Sequence, residues 1–197
     1  MELVIFIVSL IISITVHEFM HAYVGYKLGD TTARDEGRLS FNPIKHIDPI
    51  MTIALPVITF LLFKAPILVA KPVPFTPWLV RYREKGVALL SIAGPLSNLV
   101  LAAVAAVIAR SFSGGSITYQ ILFYFSQLNI GLFLFNLIPL PPLDGSRVLY
   151  AFVPQPVRDL MDQIEPYGFF VIFAIVALGG FGGILGSLYN SIMNLLF

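Results

Sequence analysis

Thr15-Val16-His17-Glu18-Phe19-Met20-His21-Ala22 closes an apolar run that begins at Leu3. On an α-helix a spacing of four residues is about one turn, so His17 and His21 stack on one face. Two imidazoles placed so can grip one Zn²⁺, with Glu18 beside them as a base rather than a ligand. The pattern also occurs by chance on soluble helices, as a solvated polar face. Here it sits at the end of a run from Leu3 that reads as a membrane helix, where two histidines and a carboxylate are costly and mark function by default. A structural polar cluster is the competing reading.

Composition places the rest of the chain in the same environment. Of 197 residues, 57% are hydrophobic and only 12% charged, against roughly 25% charged in soluble domains. The chain therefore reads as one integral membrane domain. A net charge of +1 gives no basis for nucleic-acid binding. Cysteine is absent, which excludes thiolate ligands, disulfides and a cysteine nucleophile. The first apolar run does not read as a secretory signal: no basic residue precedes it, and the histidine motif stands where a cleavage site would follow.

The expected fold is all-α and polytopic. It has about four full transmembrane helices, one short re-entrant or broken helix, and a small β segment near the histidines. Residues 3–28 form the first helix, about 39 Å long and so able to span. Arg38-Leu39-Ser40-Phe41 alternates polar and apolar residues, which predicts a short strand stopped by Asn42-Pro43. Residues 50–63 are apolar but too few for an easy crossing, and Pro56 interrupts them. Three prolines within 71–78 predict an extended segment. Residues 87–109, interrupted by Gly94-Pro95, and 117–138 are spanning helices. Residues 154–166 read as an interfacial helix. Residues 167–197 form a last crossing, kinked or closely packed at its glycines.

A catalytic zinc usually takes three protein ligands. Most carboxylates lie in wet, mixed-charge segments. Asp144 instead follows a spanning helix and the turn Pro139-Leu140-Pro141-Pro142-Leu143. It is the expected third ligand; capping the helix that begins near Ser146 is its alternative role. His46, in a wet loop, is the rival ligand. Topology offers a check. If 50–63 re-enters rather than crosses, Asp144 returns to the side where His17 and His21 lie. Eleven of the twelve Lys and Arg then share that side, with Arg110 alone opposite. The positive-inside rule makes that side cytoplasmic.

Three motifs together carry a family resemblance: His17-Glu18-Phe19-Met20-His21, Ala93-Gly94-Pro95-Leu96-Ser97-Asn98, and Asn136-Leu137-Ile138-Pro139 through Leu143-Asp144-Gly145. Over roughly residues 1 to 150 the chain resembles the site-2 protease family of intramembrane zinc metalloproteases. It reads as a short form without PDZ or CBS domain, a single domain over 1–197 with its catalytic core at about 1–150. The resemblance implies one zinc at His17, His21 and Asp144, Glu18 as catalytic base, and Asn98 near the reacting carbonyl. An amide there could donate to a developing oxyanion; interhelical hydrogen bonding is the alternative. Asn136 reads as a turn-stabilising residue.

The expected reaction is hydrolysis of a peptide bond in or near a transmembrane segment of a membrane-protein substrate, within the lipid bilayer. A helical substrate must unwind. Arg38, Leu39, Ser40 and Phe41, with Val73, Pro74 and Phe75, could offer an edge for strand addition, or be plain interfacial loops. A polar notch lined by Asn98 and Asn129 is the expected water route. A prokaryotic plasma membrane is the expected location. The main alternative is a non-proteolytic metal-binding or transport protein, which Glu18 disfavours because such a protein needs no base beside its ligands.

Overall fold

A computed structural model describes residues 2–46, 73–177 and 182–197. Among these are eight α-helices: α1 (Glu2–Lys27), α2 (Thr32–Asp35), α3 (Glu84–Ala109), α4 (Ile117–Asn136), α5 (Asp144–Tyr150), α6 (Gln155–Ile164), α7 (Gly168–Ala177) and α8 (Gly182–Leu196). Short 3₁₀ turns cover Pro43–His46 and Glu165–Tyr167. Helix α3 is the hub. It packs on α1, α4 and α5, while α8 lies mainly against α4.

The burial pattern is the reverse of a water-soluble protein. In α1 the inward stripe is Ser9, Ser13, His17, His21 and Gly25, at a four-residue spacing. The exposed residues of the same helix include Leu3, Val4, Phe6, Ile7, Val8, Ile11 and Ile12. In α3 alanines, glycines and serines face in, while Leu89, Val100, Val104 and Val107 face out. Large apolar side chains facing outward, with small and polar ones between helices, is the arrangement that lipid favours. Helices α1, α3 and α4 are long and apolar enough to cross a membrane. The chain is thus an integral membrane protein.

Because hydrocarbon offers no hydrogen bonds, the inward polar groups pair with one another. Ser13 Oγ donates to the Ser9 carbonyl at 2.7 Å. Ser126 Oγ of α4 donates to the Ala102 carbonyl of α3 at 3.0 Å. Ser116 caps α4, its hydroxyl accepting from the Tyr119 amide at 3.2 Å.

Two expectations about architecture need revision or lie out of view. No strand occurs among the described residues: Arg38 is irregular and Leu39–Phe41 is a series of bends. The reason is local: the Ser40 backbone is bonded at both its amide and its carbonyl within its own loop. The Ser40 amide donates to the Arg38 carbonyl at 2.9 Å. Arg38 donates to the Lys45 carbonyl, and His46 Nε2 donates to the Ser40 carbonyl at 2.8 Å. The alternation of side chains there could not outweigh those bonds. The expected re-entrant segment at 50–63 lies outside the described residues.

The stretch expected as a last crossing holds α7 and α8, neither long enough alone to span, with 178–181 outside the described residues. Its ends sit at opposite ends of α4. Gly168 lies so close to the Pro141 carbonyl that a Cβ could not be accommodated. The Phe197 ring packs on Phe123 at 4.9 Å, and Arg110 Nη2 donates to the Leu196 carbonyl at 2.9 Å.

Candidate metal centre

Three helices contribute to one site. His17 and His21 project from consecutive turns of α1, and their Nε2 atoms lie 3.0 Å apart. Asp144 brings Oδ2 to 3.2 Å from His17 Nε2 and 3.3 Å from His21 Nε2. Among the described residues, these three form the group of His and carboxylate side chains able to share a metal. His46 is not among them.

The approach of Asp144 follows from the turn after α4. Pro141–Pro142 is a cis peptide, and the Leu143 amide donates to the Leu140 carbonyl at 3.0 Å. Gly145 lets α5 start directly against the end of α4: a Cβ there would collide with the Leu137 carbonyl and come within 2.7 Å of that of Ile138. Asp144 is the first residue of α5, and the cap position belongs to Leu143. Its carboxylate faces the histidines. Asp144 is also the most open of the three, at 18% side-chain exposure against 10% and 7% for His17 and His21. The site therefore opens beside Asp144.

The donor set fits zinc. Both histidines use Nδ1 elsewhere: His17 Nδ1 is 2.6 Å from Asn98 Oδ1, and His21 Nδ1 is 2.8 Å from the Leu90 carbonyl. These oxygens only accept, so each Nδ1 donates and each Nε2 keeps its lone pair. Two lone pairs and a carboxylate oxygen then converge at 3.0–3.3 Å. Such a cluster is repulsive without a cation. Tetrahedral zinc with bonds near 2.0–2.1 Å would space its ligand atoms roughly 3.3 Å apart.

Gly94 of α3 is the residue whose role sequence reading missed. A Cβ there would collide with His21 Nε2 and come within 2.7 Å of His17 Nε2. Its bare backbone therefore leaves the room in front of the two rings. The signal in the sequence was Gly94-Pro95 inside a spanning helix, read there as an interruption and as part of a family motif, without a role for Gly94 itself.

Glu18 is buried on the same turn as His17. Its charge reaches Arg38, whose guanidinium is pushed down by burial while Glu18 and Glu36 oppose that shift. Phe41 stacks on Phe19 with ring centroids 3.8 Å apart, so the loop after α2 lies against the motif-bearing part of α1. Val73, Pro74 and Phe75 carry no regular secondary structure and are half-buried. They lead into Thr76, whose amide donates to Asp30 Oδ2 at 2.7 Å. Asp30 also accepts from the Thr32 amide and hydroxyl, at 3.0 and 2.6 Å. The Arg147 guanidinium of α5 lies over the Phe75 ring at 4.9 Å.

Asn98 and Asn129 are fully buried. Rather than lining an open notch, they bond to each other: Asn98 Nδ2 donates to Asn129 Oδ1 at 2.9 Å. Asn136 Nδ2 donates to the Leu132 carbonyl of its own helix at 3.0 Å.

Comparison with known proteins gives the family. The profile of peptidase family M50 matches residues 110–179. A Bacillus subtilis (strain 168) protein named "Putative zinc metalloprotease YwhC" is 42% identical over 188 residues, covering 89% of this chain and 82% of its own. A Mycolicibacterium smegmatis protein named "Putative zinc metalloprotease Rip2" is 26% identical over 175 residues, covering 88% and 66%. Methanocaldococcus jannaschii "Zinc metalloprotease MJ0392" is 35% identical over 72 residues, covering 36% and 21%. No solved structure matches the chain. Helices suited to lipid and near-full-length similarity to a zinc metalloprotease lead to one conclusion: this chain belongs to peptidase family M50, the site-2 protease family, and is a membrane-embedded zinc metalloprotease.

Proposed function

We propose that the chain is an endopeptidase that cuts membrane proteins in or near a transmembrane segment, with His17, His21 and Asp144 holding the zinc and Glu18 serving as base. The observation that carries this reading is the convergence of two Nε2 atoms and one carboxylate oxygen within a bundle of membrane-type helices. When bound, zinc supplies Lewis-acid activation of the attacking water and the scissile carbonyl. Glu18 takes the water's proton and passes it to the leaving amine. The backbone of Gly94 leaves space for the reacting peptide. Burial around the histidines limits water to the side on which Asp144 opens.

A substrate helix hides its carbonyls in its own hydrogen bonds, so the segment that is cut must be extended. Val73–Phe75 is the better candidate for holding it, because it is tied at Thr76 to Asp30 and at Phe75 to α5. Arg38–Phe41 is folded on itself and would act as a wall beside Glu18, with Phe41 as its apolar face. Four crossings are proposed, the fourth being the run from Gly168 to Phe197. In that layout the site lies toward the cytoplasmic side of a prokaryotic plasma membrane, because the basic residues gather there.

The test is cleavage of single-span membrane proteins co-reconstituted in liposomes, with fragments mapped by mass spectrometry. Substrates carrying a helix-weakening Gly-Pro pair in the cytoplasmic half of the span should be cut. Those carrying it in the opposite half should be cut at least tenfold more slowly. Equal cutting of both would reject the placement of the site, and no cutting of any panel member would reject the endopeptidase reading.

A further inference from the structure

Asn129, on α4, does not touch the metal-binding rings, yet it is joined to one of them through a chain of hydrogen bonds with a fixed direction. We infer that Asn129 and Asn98 are positioning residues that set which nitrogen of His17 carries its proton. This rests on the metal assignment above.

The direction follows from what each group can do. The Phe125 carbonyl only accepts, so Asn129 must turn its NH₂ toward it, at 2.9 Å. That leaves Asn129 Oδ1 facing α3, where it accepts from Asn98 Nδ2 at 2.9 Å. The Ser13 carbonyl of α1, 3.4 Å from the same nitrogen, holds the amide the same way round. Asn98 Oδ1 is therefore the end that meets His17, at 2.6 Å from Nδ1. An amide oxygen cannot donate. His17 must carry hydrogen on Nδ1, and its Nε2 lone pair is left for the metal.

Reversing the Asn98 amide would bring its oxygen against the Asn129 oxygen and the Ser13 carbonyl. It would also present NH₂ to His17 Nδ1, favouring hydrogen on Nε2 and closing that nitrogen to a metal. Asn129 is what disfavours the reversal. His21 needs no such relay, because its Nδ1 meets the Leu90 backbone carbonyl, which cannot turn round. Both asparagines are fully buried, so water is not at hand to replace either partner. The two histidines thus reach the same tautomer by different means, one through backbone and one through a side-chain relay across three helices.

The experiment has two readouts. The first is ¹⁵N NMR of histidine-labelled, metal-free protein in detergent, in which the three histidines give few signals, assigned by single substitution. Wild type should show His17 protonated on Nδ1, and Asn129→Leu should show both tautomers. The second is the zinc dissociation constant by chelator competition. Asn129→Leu should weaken zinc about tenfold, and Asn98→Leu about 10–100-fold. In an Asn98→Asp background the oxygen at Nδ1 is fixed as an acceptor and the other one faces Asn129 Oδ1, so adding Asn129→Leu should not weaken zinc further.

An equal loss in both backgrounds would mean that Asn129 only packs, and would overturn the inference. So would a wild-type His17 whose Nδ1 carries no hydrogen, a result obtainable even if a variant fails to fold. If metal-free wild type shows the Nδ1 tautomer but binds no zinc, the relay stands and the metal reading fails.

Discussion

Replacing Glu18 by Gln should leave zinc bound and reduce cleavage by at least ~10²–10⁴-fold, the range for loss of a positioned general base. The substitution is close to isosteric, so the buried position beside His17 is kept. The amide cannot accept the proton of the attacking water at useful rates. Neither ring nor Asp144 is altered, so the metal ligands keep their 3.0–3.3 Å spacing. The measurement is turnover of a reconstituted substrate alongside zinc content. Undiminished cleavage would remove Glu18 from the mechanism. Loss of zinc would make it a ligand instead.

Gly94→Ala is the second large effect, and it adds only a methyl group. That methyl would occupy the space next to His21 Nε2 and His17 Nε2. Neither ring can retreat freely, since each is held through Nδ1 by α3 itself. Overpacking of this kind costs roughly 1–3 kcal/mol in an ordinary core. Here the strain falls on the ligand atoms, so zinc affinity should fall by more than about 100-fold and cleavage should become undetectable. Gly131→Ala in α4 is the matched control, because a Cβ there meets nothing within 4 Å. It should retain zinc and activity. Full zinc binding by Gly94→Ala would show that the metal lies elsewhere.

The parts of this centre legible in the sequence are those fixed by side-chain type and helical period. His17, Glu18 and His21 announce themselves because a four-residue spacing on an apolar helix leaves few other purposes. The structure brings Asp144 to them, where elimination among the carboxylates had pointed. The spanning helices α1, α3 and α4 follow from length and hydropathy, and their observed ends lie within a few residues of those expected.

What stayed hidden depended on neighbours rather than on the residue itself. Gly94 matters through the volume it lacks, and nothing in its own identity says what would fill that volume. Asn98 presents an acceptor at one end and a donor at the other. The sequence could not say which end meets His17, so an oxyanion role and an interhelical bond looked equally suitable. The structure turns its donor toward Asn129, away from the metal. Alternation at Arg38–Phe41 suggested a strand because it records only side-chain polarity. The Ser40 backbone there is claimed within its own loop, its amide by the Arg38 carbonyl and its carbonyl by His46. Asn98 of α3 and Asn129 of α4 misled in another way. Asn129 looked like a lining for water, yet in a medium without water its cheapest partner was another buried amide.

The central claim is that an aspartate late in the chain and two histidines early in it hold one zinc ion together. The direct measurement is the metal content of the purified protein, compared between wild type and Asp144→Ala after identical dialysis against a weak chelator. Wild type should retain close to one zinc per chain and the variant almost none, with both still helical by circular dichroism. Equal zinc in the two would contradict the account.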